Sequence, residues 1–476
     1  MTVALALHAL LVITFTARIL LRDDLSPPAR LAWFIVLNIL PYFGSLVYFL
    51  FGEIDIGNSV NRRHAEIFDE IAAKAAPHMG APGNADALID PVYRPGFKYA
   101  ASINGFHPVA GNHAELMADG DETRARMIAD IDAAQDHVHV LYYIWLNDGT
   151  GTDIAEALIR AAERGVTCRA MADAMGSRRM IKSDLWKRMG AAGVQLAVAL
   201  PFRNILRVLA TSRIDLRNHR KITVIDSRVT YCGSRNSADP EFRIKARYAP
   251  WVDIMLRLTG PVVAQNQLIF ASDWMLATGE GLGGIKVSAA PEEGGFPAQA
   301  MAVGPTERHR ATPHLFANLI ACAADHLTLT TPYFVPDATV LEALCAAAHR
   351  GVRVTLIFPQ KNDSWVVAAA SHSYYRQLVE AGCAIYEFRG GLLHAKTLTI
   401  DGKVTLIGSS NLDLRSFDLN YENNILLQDE AVTEAICQRQ ETYIARSVRV
   451  PLRDVLNWPY PRRIWNNVVA TVGPIL

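Results

Sequence analysis

Two histidine-lysine pairs carry the chemistry open to this chain. His219, Lys221 and Asp226 are spaced His-x-Lys-x4-Asp, and His394, Lys396 and Asp401 repeat that spacing. Each copy is followed by a Gly-Ser-x-Asn tetrad, which supplies Ser234 and Asn236 in the first and Ser409 and Asn411 in the second. A neutral imidazole is a competent nucleophile towards phosphorus, and a protonated one can hand its proton to a departing alkoxide. Two histidines in two similar motifs give both roles. Lys221 and Lys396 would place fixed positive charge on the non-bridging oxygens of a five-coordinate phosphorus, where negative charge concentrates. Asn236 and Asn411 would add neutral donors there.

One such motif alone is a weak signal, so the surroundings decide. RNHRKITVIDSRVTYCGSRN and LLHAKTLTIDGKVTLIGSSN both read as a β-hairpin. A short apolar strand meets a turn at Asp226-Ser227 or Asp401-Gly402, and a second apolar strand ends at the Gly-Ser pair. Alternation along the first strand places histidine and lysine, two apart, on one face.

The repetition extends upstream. HVHVLYYIW (137–145) precedes an alanine-rich helix ending at Arg164-Gly165-Val166, a strand to Asp173 and a helix ending at Ala192-Gly193-Val194. HLTLTTPYFVP (326–336) precedes the same series, ending at Arg350-Gly351-Val352, Pro359 and Ala381-Gly382-Cys383. That period is too long for a solenoid. It predicts two homologous α/β domains, each giving half of one site, with helices covering each sheet. The expected division is 1–55 apolar helices, 56–104 linker and irregular region, 105–280 first domain, 281–297 connection, 298–450 second domain and 451–476 tail. The connection is marked by its Gly, Pro and Glu.

The 476 residues suffice for two cores and extra elements. The 47 basic and 47 acidic residues cancel, so there is no global electrostatic footprint for nucleic acid. Local basic clusters (Arg213, Arg217, Arg220, Lys221; Arg243, Lys245, Arg247) fit a solvated surface or anionic lipid headgroups equally. Cys168, Cys232, Cys322, Cys345, Cys383 and Cys437 stand singly in apolar patterns. They signal neither zinc site nor disulfide framework and read as buried reduced thiols.

Thr2 to Leu21 and Leu31 to Phe51 are apolar runs, each about the twenty residues of a bilayer span. No basic region precedes the first and a second run follows at once, which argues against a cleaved signal peptide. The two predict a transmembrane hairpin joined by Arg22 to Arg30, with Arg18 snorkelling to the interface. Trp33, Tyr42 and Tyr48 are either interfacial anchors or helix-packing residues. Basic residues on both sides leave orientation undivided; the unpaired cysteines favour a cytoplasmic catalytic part. The tail, with Trp458, Tyr460, Arg462, Arg463 and Trp465, reads as an interfacial segment or as ordinary capping.

At this point LYYIW, RNHRK, APWVDIMLRLTGPVV, TTPYFVPD, LLHAKTLTIDG and GSSNLDLRSFDLNYENN, with the proline-bearing LPYFGSLVYFLFGE, carry a resemblance. The sequence resembles the phospholipase D superfamily and, within it, the bacterial cardiolipin synthases, over nearly the whole chain. The resemblance implies two phospholipase D-like α/β sandwich domains forming one active site. It implies phosphatidyl transfer without metal or cofactor, on phosphatidylglycerol, at an inner membrane that the protein crosses more than once. By the same resemblance His219 attacks phosphorus, and His394 protonates the leaving glycerol and later deprotonates the incoming alcohol. One departure is local: many of the synthases have a Gly-Gly pair and an Asp-Glu-Tyr sequence after the first motif, where this chain reads GSRNSADPEF.

Histidines used this way need orienting carboxylates. Asp226 and Asp401 fall at the hairpin turns and brace them more readily than they touch substrate. Asp253 in PWVD and Glu422 in NYEN follow their histidines at comparable intervals, so the expected pairs are Asp253 with His219 and Glu422 with His394. Hydrolysis by the same residues is the nearest rival reading, and phosphatidylserine synthesis from a nucleotide-activated lipid is another. A nuclease is disfavoured by the apolar runs and neutral charge, and a non-catalytic scaffold by two complete motifs. Oligomeric state is not legible.

Overall fold

The computed structural model describes residues 2–22, 25, 27–52, 57–201 and 215–471. Arg213 of the first basic cluster and the end of the tail lie outside them, as does the side chain of Arg243. Residues 61–201 and 216–474 belong to one compact unit, and residues 1–60 to another.

The larger unit is built on a sheet of 16 strands, and its order shows the repeat. In the first half Gln195–Ala199, Thr167–Asp173 and His137–Tyr142 run parallel. The sheet continues antiparallel through Lys221–Ile225, Val229–Gly233, Met255–Thr259 and Val109–Leu116. In the second half Ala384–Phe388, Arg353–Pro359 and His326–Thr330 are the parallel strands. Thr397–Ile400, Val404–Gly408, Asn420–Gln428 and Phe296–Val303 follow antiparallel. The halves meet where Val109–Leu116 pairs with Phe296–Val303. The sheet thus carries the repeated α/β plan in two halves.

The crossover helices start where side chains can cap them. Asp148 accepts the Gly151 N–H ahead of helix Gly149–Glu163, and Asp337 accepts that of Val340 ahead of Ala338–His349. Both hairpins close on turns whose central residues have positive φ, Asp226 (51°) with Ser227 (53°) and Asp401 (51°) with Gly402 (66°). That sign at both positions suits the twist of two-residue hairpin loops. Five of the six cysteines are buried, Cys437 is half-buried, and all six are free.

In the smaller unit the helices are Thr2–Leu20, Pro27–Ile39 and Pro41–Phe51. Among the described residues no helix is long and apolar enough to cross a membrane, so the expected spans are not confirmed. The second apolar run breaks at Leu40, because Pro41 has no N–H to continue the first helix and instead starts the next. In the first run side chains are described only from His8 onward. Trp33 and Tyr48 take the packing role, buried with rings edge to face at 5.1 Å; Tyr42 is exposed.

Candidate active site

The two histidines do not lie within the hairpin strands, where alternation placed them. Each sits in a short break after a two-residue strand, Arg217–Asn218 or Leu392–Leu393. Those short strands pair with the opposite half. Arg217–Asn218 runs beside Asn420-Tyr421, and Leu392–Leu393 beside Trp251-Val252. The His219 N–H then donates to the Tyr421 carbonyl at 2.8 Å, and the His394 N–H to the Val252 carbonyl at 2.8 Å. The residue after each acceptor is a carboxylate.

This exchange reverses the expected pairing. Asp253 lies 2.6 Å from His394 Nδ1, and Glu422 lies 3.3 Å from His219 Nδ1. Intervals within one half suggested the opposite. Sequence spacing carries no information on which strand a short segment crosses to meet, so the swap is visible only in the folded chain. Each imidazole is therefore oriented by the other domain, and neither half holds a complete site.

Further bonds fix the carboxylates. Ser234 donates to Asp253 Oδ1 at 2.7 Å and accepts the Ile254 N–H at 3.1 Å. Ser416 donates to Glu422 Oε1 at 3.0 Å, and Ser409 accepts the Asn423 N–H at 2.9 Å. The tetrad glycines let those strands approach. A Cβ on Gly233 would meet the Ile254 carbonyl at 2.2 Å, and one on Gly408 the Asn423 carbonyl at 2.3 Å. Asn236 accepts the Ile144 N–H at 3.2 Å through Oδ1, and the Asn411 amide donates to Ser416 at 3.0 Å. The Asn411 amide is thus engaged in positioning Ser416, where a phosphate donor had been expected.

Lys221 and Lys396 are buried, and each ammonium donates to the carbonyl of its own motif histidine, at 2.6 Å for Lys396. Burial, reinforced by Lys221, pulls Lys396 down to about 7, and burial likewise lowers Lys221. Burial and then Lys396 push His394 down to about 4. Burial also lowers His219, against the pull of Glu422. Burial pushes the Asp253 carboxyl up, yet His394 and Lys396 outweigh it and hold it at about 2. An empty site at neutral pH therefore has neutral imidazoles facing carboxylates. A phosphodiester anion would raise the affinity of both rings and both lysines for protons.

Asp226 and Asp401 stand apart from this group. Asp226 accepts the N–H groups of Gln135, Asp136 and His137 at 2.8–2.9 Å. Asp401 accepts those of Ala324, Asp325 and His326 at 2.8–2.9 Å, and the Tyr93 hydroxyl at 3.0 Å. Both tie the hairpin turn to the loop entering the first parallel strand, at the far end of the hairpin from the histidine. Expected both as motif residues and as braces of the turn, the two carboxylates are taken up by these backbone N–H groups.

Several neighbours escaped the sequence reading. Tyr143 packs on His219 with ring centroids 3.8 Å apart, and Trp251 on His394 at 4.6 Å. The Asn420 amide meets His219 Nδ1 at 3.2 Å, and Asn423 Oδ1 accepts the Lys221 N–H at 3.0 Å. Arg220, fully buried, pairs with Asp273 at 2.7 Å and holds the Glu422 carbonyl at 3.1 Å. A signal existed for the asparagines: NYENN puts polar residues into a strand whose first eight positions are all buried.

A two-domain α/β sheet that joins two His-Lys pairs through exchanged carboxylates defines a two-histidine phosphoryl-transfer enzyme. The family described as cardiolipin synthase, PLD-like domain, matches residues 127–274 and 316–444, and a phospholipase D-nuclease N-terminal family matches 10–53. Cardiolipin synthase A of Yersinia pseudotuberculosis is 35% identical over 469 residues, 96% of this chain and 94% of its own. The Yersinia pestis protein of that name matches equally. Among solved structures, phosphatidylserine synthase of Haemophilus influenzae superposes with a TM-score of 0.59 at 15% identity, over 82% of this chain and all of that one. That likeness bears on the fold alone. The chain belongs to the cardiolipin synthase family of phospholipase D-like proteins.

Proposed function

We propose that this enzyme condenses two phosphatidylglycerol molecules to cardiolipin and glycerol through a phosphohistidine. Nδ1 of each ring faces its carboxylate, which leaves Nε2 as the reacting nitrogen. In the first step His219 Nε2 bonds to phosphorus while the bond to the glycerol headgroup oxygen breaks, and His394 gives that oxygen its proton. In the second step His394 takes the proton of an incoming phosphatidylglycerol hydroxyl, whose oxygen bonds to phosphorus as the phosphorus–nitrogen bond breaks. Two displacements replace one difficult exchange. Lys221 and Lys396 meet the charge on the equatorial oxygens.

The observation that carries this reading is the exchange of Asp253 and Glu422, which gives two imidazoles separate charged supports at one site. Membrane attachment through the first sixty residues supports the lipid substrate. Leu10, Ile13, Leu31, Ile39, Phe43 and Leu46 each expose more than half their surface, which is costly in water and favourable against lipid tails. In this reading the attachment is a hairpin in the inner membrane with the catalytic unit on the cytoplasmic side. The test is purified protein in phosphatidylglycerol vesicles. Cardiolipin with equimolar glycerol is expected, and His219→Ala should abolish it. Phosphatidic acid as the product would mean hydrolysis and refute the transferase.

A further inference from the structure

The helix Tyr460–Thr471 is packed inside out. Its buried residues are Asn466 and Val469, whereas Tyr460, Ile464, Trp465 and Val468 are 50–77% exposed. Burying an amide while leaving four large apolar side chains in water is unfavourable on both counts. The apolar surface continues beyond the helix. Trp365, 66% exposed, stacks on Trp465 with centroids 5.9 Å apart and rings within 14° of parallel. Asp363, two residues earlier, binds Lys245 and the Tyr333 hydroxyl.

The tail that carries this patch is net positive. From Pro451 to Thr471 the ionised side chains are Arg453, Arg462 and Arg463 against Asp454, three positive and one negative, hence a net +2. The Arg462 guanidinium lies over the Trp458 ring at 4.1 Å. Aromatic and aliphatic groups beside arginines suit a surface that is anionic outside and apolar beneath, the layering of a phospholipid monolayer.

The patch is also wired to the site. Val469 packs with Val335, Ala369 and Ala370. Val335 belongs to the strand Phe334–Val335, which pairs with Leu412–Asp413. Asp413 accepts the Ser416 N–H at 2.7 Å, and the Ser416 hydroxyl donates to Glu422.

We infer that Trp365 and the exposed stripe Tyr460, Ile464, Trp465 and Val468 form a docking face for an anionic phospholipid bilayer, which sets the histidine site against the headgroup layer. This rests on the phosphatidyl-transfer reading for its purpose, though not for its physical basis. The bilayer contact adds to any attachment by the amino-terminal residues and acts on how lipid reaches the site.

Ile464→Glu with Val468→Glu places two carboxylates on the stripe and removes nothing buried. Full-length protein, unsubstituted and substituted, is assayed on phosphatidylglycerol in vesicles and on dihexanoyl phosphatidylglycerol below its critical micelle concentration. Turnover in vesicles should fall by about tenfold or more, as loss of two buried apolar side chains implies, while turnover of the dispersed lipid stays the same. Equal loss on both substrates, or loss on neither, overturns the docking face. A second measurement does not need activity: full-length Ile464→Cys carrying an NBD fluorophore, reconstituted in vesicles. Blue-shifted emission with phosphatidylglycerol but not with phosphatidylcholine is expected. An unshifted spectrum, or a shift that follows protein concentration and not lipid charge, overturns the inference, the latter assigning the face to a second copy of the chain. If the unsubstituted protein turned over neither lipid, the transfer reading would fail, and the fluorescence would still decide the docking face.

Discussion

The exchanged carboxylates make Asp253→Asn and Glu422→Gln behave differently. Asp253 meets His394, the proposed proton donor to the leaving glycerol, through a 2.6 Å bond that strengthens when the ring becomes imidazolium. Removing a charge from such a bond costs about 1.5–3 kcal/mol, or roughly 10- to 150-fold in rate. Asparagine can also select the wrong imidazole tautomer, an effect worth up to about 10⁴-fold where an aspartate supports a histidine in this way. Turnover of phosphatidylglycerol by Asp253→Asn should therefore fall by about 10 to 10⁴. Only a poor leaving group needs His394 as acid. With a p-nitrophenyl phosphodiester, whose phenolate leaves unprotonated, Asp253→Asn should release its first equivalent of nitrophenol at nearly the unsubstituted rate and then stall. Its adduct on His219, acid-labile and so quenched with alkali, should accumulate and be visible by intact mass. Glu422→Gln acts on His219 itself and should slow the burst with either leaving group. A normal burst in Glu422→Gln together with a lost burst in Asp253→Asn would refute the reasoning and restore pairing within each half. Equal slowing of both leaving groups by Asp253→Asn would remove His394 from the acid role.

Three further outcomes are expected. Lys396, held at about 7 by burial and by Lys221, is charged below that pH and neutral above it. On dispersed short-chain phosphatidylglycerol, log kcat/KM should thus fall as pH rises through about 7, while the limb in kcat lies higher because the bound phosphodiester favours the ammonium; a profile flat from about pH 6 to about pH 9 contradicts this. Asp226→Ala removes the acceptor of three backbone N–H groups and should cost about 2–4 kcal/mol in chemical denaturation with kcat unchanged below the transition. A folded but inactive variant would return Asp226 to the chemistry. Arg220→Met strands Asp273 without its partner and should cost about 3–5 kcal/mol of stability, a loss that Asp273→Leu in the same chain should largely restore.

Much of the fold was legible because it is periodic. The doubled strand-helix order, the Arg-Gly-Val helix ends and the Asp-Ser or Asp-Gly turns are local signals, and local signals survive in a linear string. The apolar amino-terminal runs were legible as apolar but not as continuous: Pro41 divides the second into helices of 13 and 11 residues. The polar start of Asn420–Gln428 is buried, since its side chains bond across to the opposite half. Nothing in a sequence marks Tyr143 and Trp251 as rings that pack on a histidine a long way off in the chain.

By itself the sequence pointed to the proposed reacting groups, since imidazoles able to attack and to give a proton, with two ammonium groups, follow from residue type and a spacing repeated twice. It also placed the motif aspartates at turn positions, where a carboxylate meets free N–H groups nearby. Only the tertiary structure decided which carboxylate serves which histidine. His219 and His394 follow two-residue strands, too short to stand alone, that find their hydrogen bonds on Asn420-Tyr421 and Trp251-Val252 of the other half. Strand pairing between segments some 140 to 200 residues apart is set by the packing of the whole sheet, and no local pattern encodes it.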